Sequence, residues 1–196
     1  MDKMIFHISG PSGSGKTYLG NKLKEMFKNK IIVKDINDLR NEFIKEEYGE
    51  NLMFIDINFS KDKFQKYINL YIKNIKKTLI FVGLNNMPWW DKNHYYNLHS
   101  QYNYYITLDN DINFKRMCAR FFVDMFVNDK DELINDIMED EIIAFKQINI
   151  AIKRECSYKQ MVKNNKKWAK DYLDQGYTFM TSENIFKNIV KILKNL

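Results

Sequence analysis

The chain has 196 residues, of which 45% are hydrophobic and 29% charged, and a net charge of +6. That is enough apolar chain for one full core, which excludes a disordered tail, and the modest basic excess suits an anionic partner without establishing a nucleic-acid surface. No apolar run approaches the roughly 20 residues of a membrane span, and the cysteines Cys118 and Cys156 have no metal or redox spacing, so both read as free thiols of a reducing compartment.

Residues 4–9, beginning Met4-Ile5-Phe6-His7-Ile8, form a short apolar run suited to a buried strand. It starts so near Met1 that no leader is expected, and a cytoplasmic location without membrane attachment follows. Residues 10–17 then read Gly-Pro-Ser-Gly-Ser-Gly-Lys-Thr, a complete G-x-x-x-x-G-K-[ST] pattern. Three of the seven glycines of the chain fall here, at Gly10, Gly13 and Gly15. Glycine lets successive backbone N–H groups turn toward one point, and the helix expected over 16–28 adds its positive N-terminal end. Gly10, Ser12, Gly13, Ser14, Gly15, Lys16 and Thr17 are therefore the candidate phosphate cradle. Lys16 is expected to reach the β- and γ-phosphates and the Thr17 hydroxyl to ligate Mg²⁺.

A second strand is expected over 31–35, ending in Asp35, with a helix over 39–48. Asp35 is the candidate for aligning an acceptor hydroxyl or for holding Mg²⁺ through water. Asp38 is either a partner in that role or an N-cap, and Arg40 either an acceptor-phosphate contact or a solvated helix position. Residues 61–77 place Phe64, Tyr67, Ile68, Tyr71, Ile72 and Ile75 in the stepping of one helix face. The continuous apolar run 78–83 reads as a strand covered on both sides. After it comes Asn85-Asn86-Met87-Pro88-Trp89-Trp90-Asp91, where Asn85 could read a base edge and Trp89 stack on it, or the pair could be a hydrophobic cover. His7, inside the first strand, reads as structural.

A fourth strand is expected over 104–108, a fifth over 177–180 and a closing helix over 185–196, with two or three helices over 110–176. Arg116 and Arg120 lie one helical turn apart, suited to gripping phosphate oxygens, or to surface ion pairs with Asp109, Asp111 or Asp124. The basic stretch 153–170 reads as a solvated helix face or as a polynucleotide contact. Apolar strands alternating with helices imply a single α/β domain, 1–196: a three-layer sandwich with a central parallel sheet of about five strands and a helical lid at about 110–176. Ligands then sit at the carboxyl ends of the strands.

There is no Asn-Lys-x-Asp base-reading motif, which argues against a GTPase, and strand 78–83 runs into Gly83-Leu84-Asn85 without the carboxylate of a motor ATPase. The early phosphate loop, the segment Lys34-Asp35-Ile36-Asn37-Asp38-Leu39-Arg40, and Leu108-Asp109 followed by a helix carrying Arg116 and Arg120 resemble the small P-loop kinases of nucleosides, nucleoside monophosphates and other metabolites. Val82-Gly83-Leu84-Asn85 replaces the Asp-Gly-Phe-Pro-Arg-like segment of adenylate and UMP kinases, and the acidic-Arg-Ser motif of deoxynucleoside kinases is absent. The resemblance implies ATP and Mg²⁺ as cofactors. It implies γ-phosphate transfer to a small acceptor, best a nucleoside or nucleoside monophosphate, with Lys16, Asp35, Arg116 and Arg120 as catalytic residues. The alternatives are a polynucleotide 5′-hydroxyl kinase and a nucleotide-dependent switch that transfers nothing.

Overall fold

A computed structural model of the chain describes residues 3–49, 59–86 and 94–195. Along the chain run β1 (Ile5–Ser9), α1 (Lys16–Phe27), β2 (Ile31–Asp35), α2 (Ile36–Tyr48), α3 (Lys61–Asn74), β3 (Thr78–Val82) and β4 (Tyr102–Ile106). There follow α4 (Asn110–Val123), α5 (Lys130–Glu139), α6 (Glu141–Glu155), α7 (Tyr158–Asp174), β5 (Thr178–Met180) and α8 (Ser182–Lys194). These residues group into two compact units, one of Met1–Gly10, Gly15–Ile106 and Gly176–Leu196, the other of Pro11–Ser14 and Thr107–Gln175.

The first unit holds the whole sheet, in the order β2-β3-β1-β4-β5, with every pairing parallel. Strand side chains alternate between its faces. Ile5, Leu79 and Phe81 join Ile36, Leu39, Phe43, Phe64 and Ile68 from α2 and α3. Phe6, Ile8, Ile80, Val82 and Tyr104 join Leu19 and Leu23 of α1 and Ile185, Ile189 and Leu193 of α8. Helix, sheet and helix therefore make the three layers expected for apolar parallel strands. The parallel order also brings the carboxyl ends of β1, β2 and β3 to one edge.

The second unit is helical. Asp109, Asp140 and Ser157 cap α4, α6 and α7 through their side chains, and a π-helical segment, Asp124–Asn128, joins α4 to the turn before α5. Four α-helices thus occupy the stretch where two or three were expected. The fourth strand is displaced from the expected 104–108, because Thr107 and Leu108 leave the sheet to present Asp109 as the α4 cap. Helix α2 likewise starts at Ile36 rather than at 39, because Asp35 supplies its cap.

One glycine sets how closely α1 lies on the sheet. A Cβ on Gly20 would come within 2.9 Å of Val33 Cγ1 and 3.0 Å of Val82 Cγ1. Gly20→Val is expected to lower the unfolding free energy by about 3 kcal/mol, the upper end of overpacking costs. A urea titration reads this directly; an unchanged midpoint would contradict the packing argument.

Candidate functional site

Within the sheet unit, β1 delivers Gly10 and the chain re-enters at Gly15, the N-cap of α1. Gly15 has φ +87, a left-handed conformation that costs a glycine little. The α1 N-terminus has no side-chain cap bond and no acidic residue in its first turn, so no carboxylate of its own sequence answers the positive helix end. Lys16 Nζ donates to Gly10 O at 2.9 Å, which folds the ammonium back over the loop. Thr17 Oγ1 donates to Asp35 Oδ2 across 3.4 Å, while Asp35 Oδ1 accepts from Asn37 N at 2.9 Å. One carboxylate oxygen thus caps α2 and the other faces Thr17. Gly83 passes beside this carboxylate at φ +120, a conformation that favours glycine, and a Cβ there would make only ordinary contact with Asp35 Oδ1, at 3.4 Å. Gly10, Gly15, Lys16, Thr17 and Asp35 accordingly share the carboxyl edge of the sheet.

The residues near them are engaged differently. Asp38 is exposed in the first turn of α2, and the capping considered for it belongs to Asp35. Arg40 is not a solvated position: it is largely withdrawn from solvent, with Nη1 donating to Asn37 Oδ1 at 3.0 Å and Nη2 to Asn86 O at 3.1 Å. Burial lowers its pKa from the ordinary guanidinium value, against the opposing influence of Tyr96 and Asp35. Asn85 is buried, its Nδ2 donating to Tyr96 O at 2.8 Å while its own carbonyl accepts from Tyr96 N at 2.7 Å. Its amide therefore clips the backbone at Tyr96. Trp89 lies outside the described residues.

His7 is fully buried. Its Nε2 lies 2.9 Å from Gly83 O, so that nitrogen carries the proton, and Nδ1 accepts from the Tyr177 hydroxyl at 2.5 Å. Burial pulls its pKa down to about 4, the Gly83 carbonyl opposing and the Lys16 charge adding to the shift.

In the helical unit, Pro11–Ser14 is closed as a turn by Ser14 N donating to Pro11 O at 3.1 Å. Asn113 Nδ2 donates to Ser12 O, and Arg116 Nη1 lies 3.4 Å from Gly13 O. Arg120 goes elsewhere: its Nε pairs with Asp124 Oδ2 at 3.5 Å, on the surface. Of the two arginines, Arg116 is the one within reach of the loop backbone. Asn113 was not singled out from the sequence. The available signal was its spacing, since Asn113, Arg116 and Met117 stand three and four residues apart on one helical face. Lys153, Arg154, Lys159, Lys163, Lys166, Lys167 and Lys170 are all exposed along α6 and α7, as a solvated face requires. Cys118 and Cys156 are free thiols, and burial pushes Cys156 up to about 11 with Cys118 beside it.

No family model matches the sequence, and no curated protein matches it. Solved structures do. The tRNA delta(2)-isopentenylpyrophosphate transferase of Staphylococcus epidermidis aligns over 100% of both chains at 14% identity with a TM-score of 0.53. The chain shares that α/β fold, a five-stranded all-parallel sheet between layers of helices. An uncharacterized protein from Eubacterium ventriosum ATCC 27560 aligns over 100% of both chains at 18% identity and TM-score 0.49. Shikimate kinase from Acinetobacter baumannii aligns over 98% of this chain and 94% of its own, at 12% identity and TM-score 0.45. Among the described residues no helix is long and apolar enough to cross a membrane, and no group of three or more His, Cys, Asp or Glu could hold a metal ion.

Proposed function

We propose that the chain is a Mg²⁺- and ATP-dependent phosphotransferase acting on a small acceptor, a nucleoside or nucleoside monophosphate first among the candidates. The observation that carries this reading is the convergence of Lys16, Thr17 and Asp35 on the edge where α1 begins. Their donor set fits the implied group. Mg²⁺ takes hard oxygen ligands at about 2.0–2.1 Å, which puts adjacent ligand oxygens about 3 Å apart. Thr17 Oγ1 and Asp35 Oδ2, 3.4 Å apart, are within a few tenths of an ångström of that spacing.

In the transfer, the bond between the γ-phosphorus and its bridging oxygen breaks and ADP leaves with that oxygen, while a bond to the acceptor oxygen forms; a nucleoside hydroxyl releases its proton to solvent, and a monophosphate attacks through an oxygen already ionised. Such reactions need positioning and charge neutralisation rather than covalent help from the protein. Bound Mg²⁺ neutralises charge on the phosphate oxygens. Thr17 and Asp35 would hold it, Asp35 directly or through water, and Lys16 would face the β/γ-phosphates on releasing Gly10 O. The loop residues Gly10, Ser12, Gly13 and Gly15 would supply main-chain N–H groups, the Ser14 N–H being held by Pro11 O, and Asp35 would align the acceptor if it does not hold the metal. Arg116 adds positive charge beside Gly13. Arg120 joins it only if it exchanges Asp124 for phosphate oxygens. The polynucleotide reading gains little from Arg40, whose guanidinium is engaged by Asn37 and Asn86.

The deciding experiment incubates labelled ATP and Mg²⁺ with a panel of nucleosides, monophosphates and 5′-hydroxyl oligonucleotides. Labelled product from a nucleoside or monophosphate, above the Lys16→Ala background, supports the reading. Product only from oligonucleotides makes the enzyme a polynucleotide kinase, and ATP hydrolysis without any product makes it a switch. Asp35→Asn retains a capping acceptor for α2 and removes the charge facing Thr17. It is expected to raise the Mg²⁺ concentration for half-maximal rate about 10–100-fold while the melting temperature holds. An unchanged Mg²⁺ dependence would remove Asp35 from the metal site.

A further inference from the structure

We propose that Asn113 is the positioning residue that aims the Gly13 amide of the phosphate loop, and that Asn165 fixes the orientation in which Asn113 does so. The proposal rests on reading residues 10–17 as a phosphate site.

Asn113 is the one buried residue of α4, with no exposed surface. A buried amide is retained where its donor and acceptor ends are both satisfied. Here Nδ2 donates to Ser12 O, and Oδ1 accepts from Asn165 Nδ2 at 2.8 Å. The two bonds lock one orientation from both ends: the Ser12 carbonyl only accepts, so it takes the Asn113 NH₂, and Asn165 donating to Oδ1 holds the amide in that setting.

The peptide plane carries this constraint into the loop. The Ser12–Gly13 peptide is trans, so the Ser12 carbonyl and the Gly13 N–H share one plane and point opposite ways. Holding Ser12 O against α4 therefore turns the Gly13 N–H away from α4, as a cradle for an anion requires. The neighbouring Ser14 N–H is already used on Pro11 O. Gly13 allows α4 this close: it has φ +75, and a Cβ on it would sit 3.2 Å from Asn113 Nδ2 and 3.3 Å from Arg116 Cβ. Arg116 is the weaker anchor, an exposed side chain at 3.4 Å from Gly13 O. Asn165 lies in α7, so that helix acts on the loop through a relay of two amides.

The test uses Asn113→Asp, which keeps the shape but sets an acceptor against the Ser12 carbonyl. Asn165→Ala removes the orienting donor and spares the buried site, which covers the case in which the first variant does not fold. Gln160→Ala, elsewhere on α7, is the control. Two readouts are taken: the Gly13 amide resonance and its hydrogen exchange in the protein alone, and calorimetric affinity for tripolyphosphate. Asn113→Asp and Asn165→Ala are expected to shift the Gly13 resonance, speed its exchange and weaken tripolyphosphate binding about tenfold, as loss of one hydrogen bond does. The control changes neither. A wild-type Gly13 signal in folded Asn165→Ala protein, or undiminished tripolyphosphate affinity in both variants, overturns the proposal. Failure of the unsubstituted protein to bind tripolyphosphate overturns the phosphate-site reading instead, and the Gly13 signal in the protein alone still decides whether Asn113 sets that amide.

Discussion

Lys16→Ala is expected to lower kcat/KM for phosphoryl transfer by at least about 10²-fold, the loss that follows removal of one preorganised donor from a transition state. The ammonium already lies over the loop, bonded to Gly10 O, and has only to exchange that carbonyl for phosphate oxygens. The helix N-terminus and main-chain amides survive the substitution, so ATP binding should weaken while transfer is nearly lost. Lys16→Arg should not restore the rate, because a planar guanidinium fork replaces a compact charge. Initial-rate kinetics test this, with a thermal melt as the check on folding. A variant within threefold of the parent enzyme would mean that Lys16 makes no contact with the transferring phosphate. The same substitution has a consequence away from catalysis. The Lys16 charge is one cause of the lowered His7 pKa, so Lys16→Ala should raise it slightly, as NMR titration can follow.

The second large effect is acid lability centred on His7. The native state keeps this imidazole neutral, donating from Nε2 and accepting at Nδ1, and its pKa is near 4 against an ordinary value of 6.5. The unfolded chain therefore binds a proton first as the pH falls. Stability is undiminished above the unfolded value, declines between about pH 6.5 and about pH 4, and levels off below. A shift of that size corresponds to about 3 kcal/mol. Urea unfolding of the parent and of His7→Gln, at about pH 7 and about pH 4, isolates the contribution, since both proteins share every other titrating group. The parent should lose about 3 kcal/mol more than the variant over that interval. Equal losses would show that His7 is protonated in the native fold.

The layers of the fold were legible because they rest on local patterns. The apolar runs read at 4–9 and 78–83 are short enough to suit strands, and the structure places β1 and β3 there, while Phe64 and Ile68 mark the buried face of α3. The stretch 10–17 stands out for the same reason, its pattern being written in consecutive residues. What stayed hidden depends on distance along the chain. Asn113 meets Ser12 across 101 residues and His7 meets Tyr177 across 170, and nothing at either end announces the other. Asn85 illustrates the opposite difficulty: an amide suited to reading a base is equally suited to clipping Tyr96. Asp35 was ambiguous between turn and site because one of its oxygens caps α2 while the other faces Thr17, at the edge proposed as the site.

The strand order has a consequence for biosynthesis. β4 acquires its outer neighbour only when Thr178–Met180 has been made, after the entire helical insertion has left the ribosome. At about 5–20 residues per second, that edge of the nascent sheet waits several seconds with its hydrogen-bonding groups unanswered. Over the same interval Ile8, Ile106 and Tyr104 lack the cover of Ile185, Ile189 and Leu193. Chains terminated before residue 178 should therefore aggregate rather than accumulate as a shorter soluble species, and expression at low temperature with chaperone should favour the full-length product.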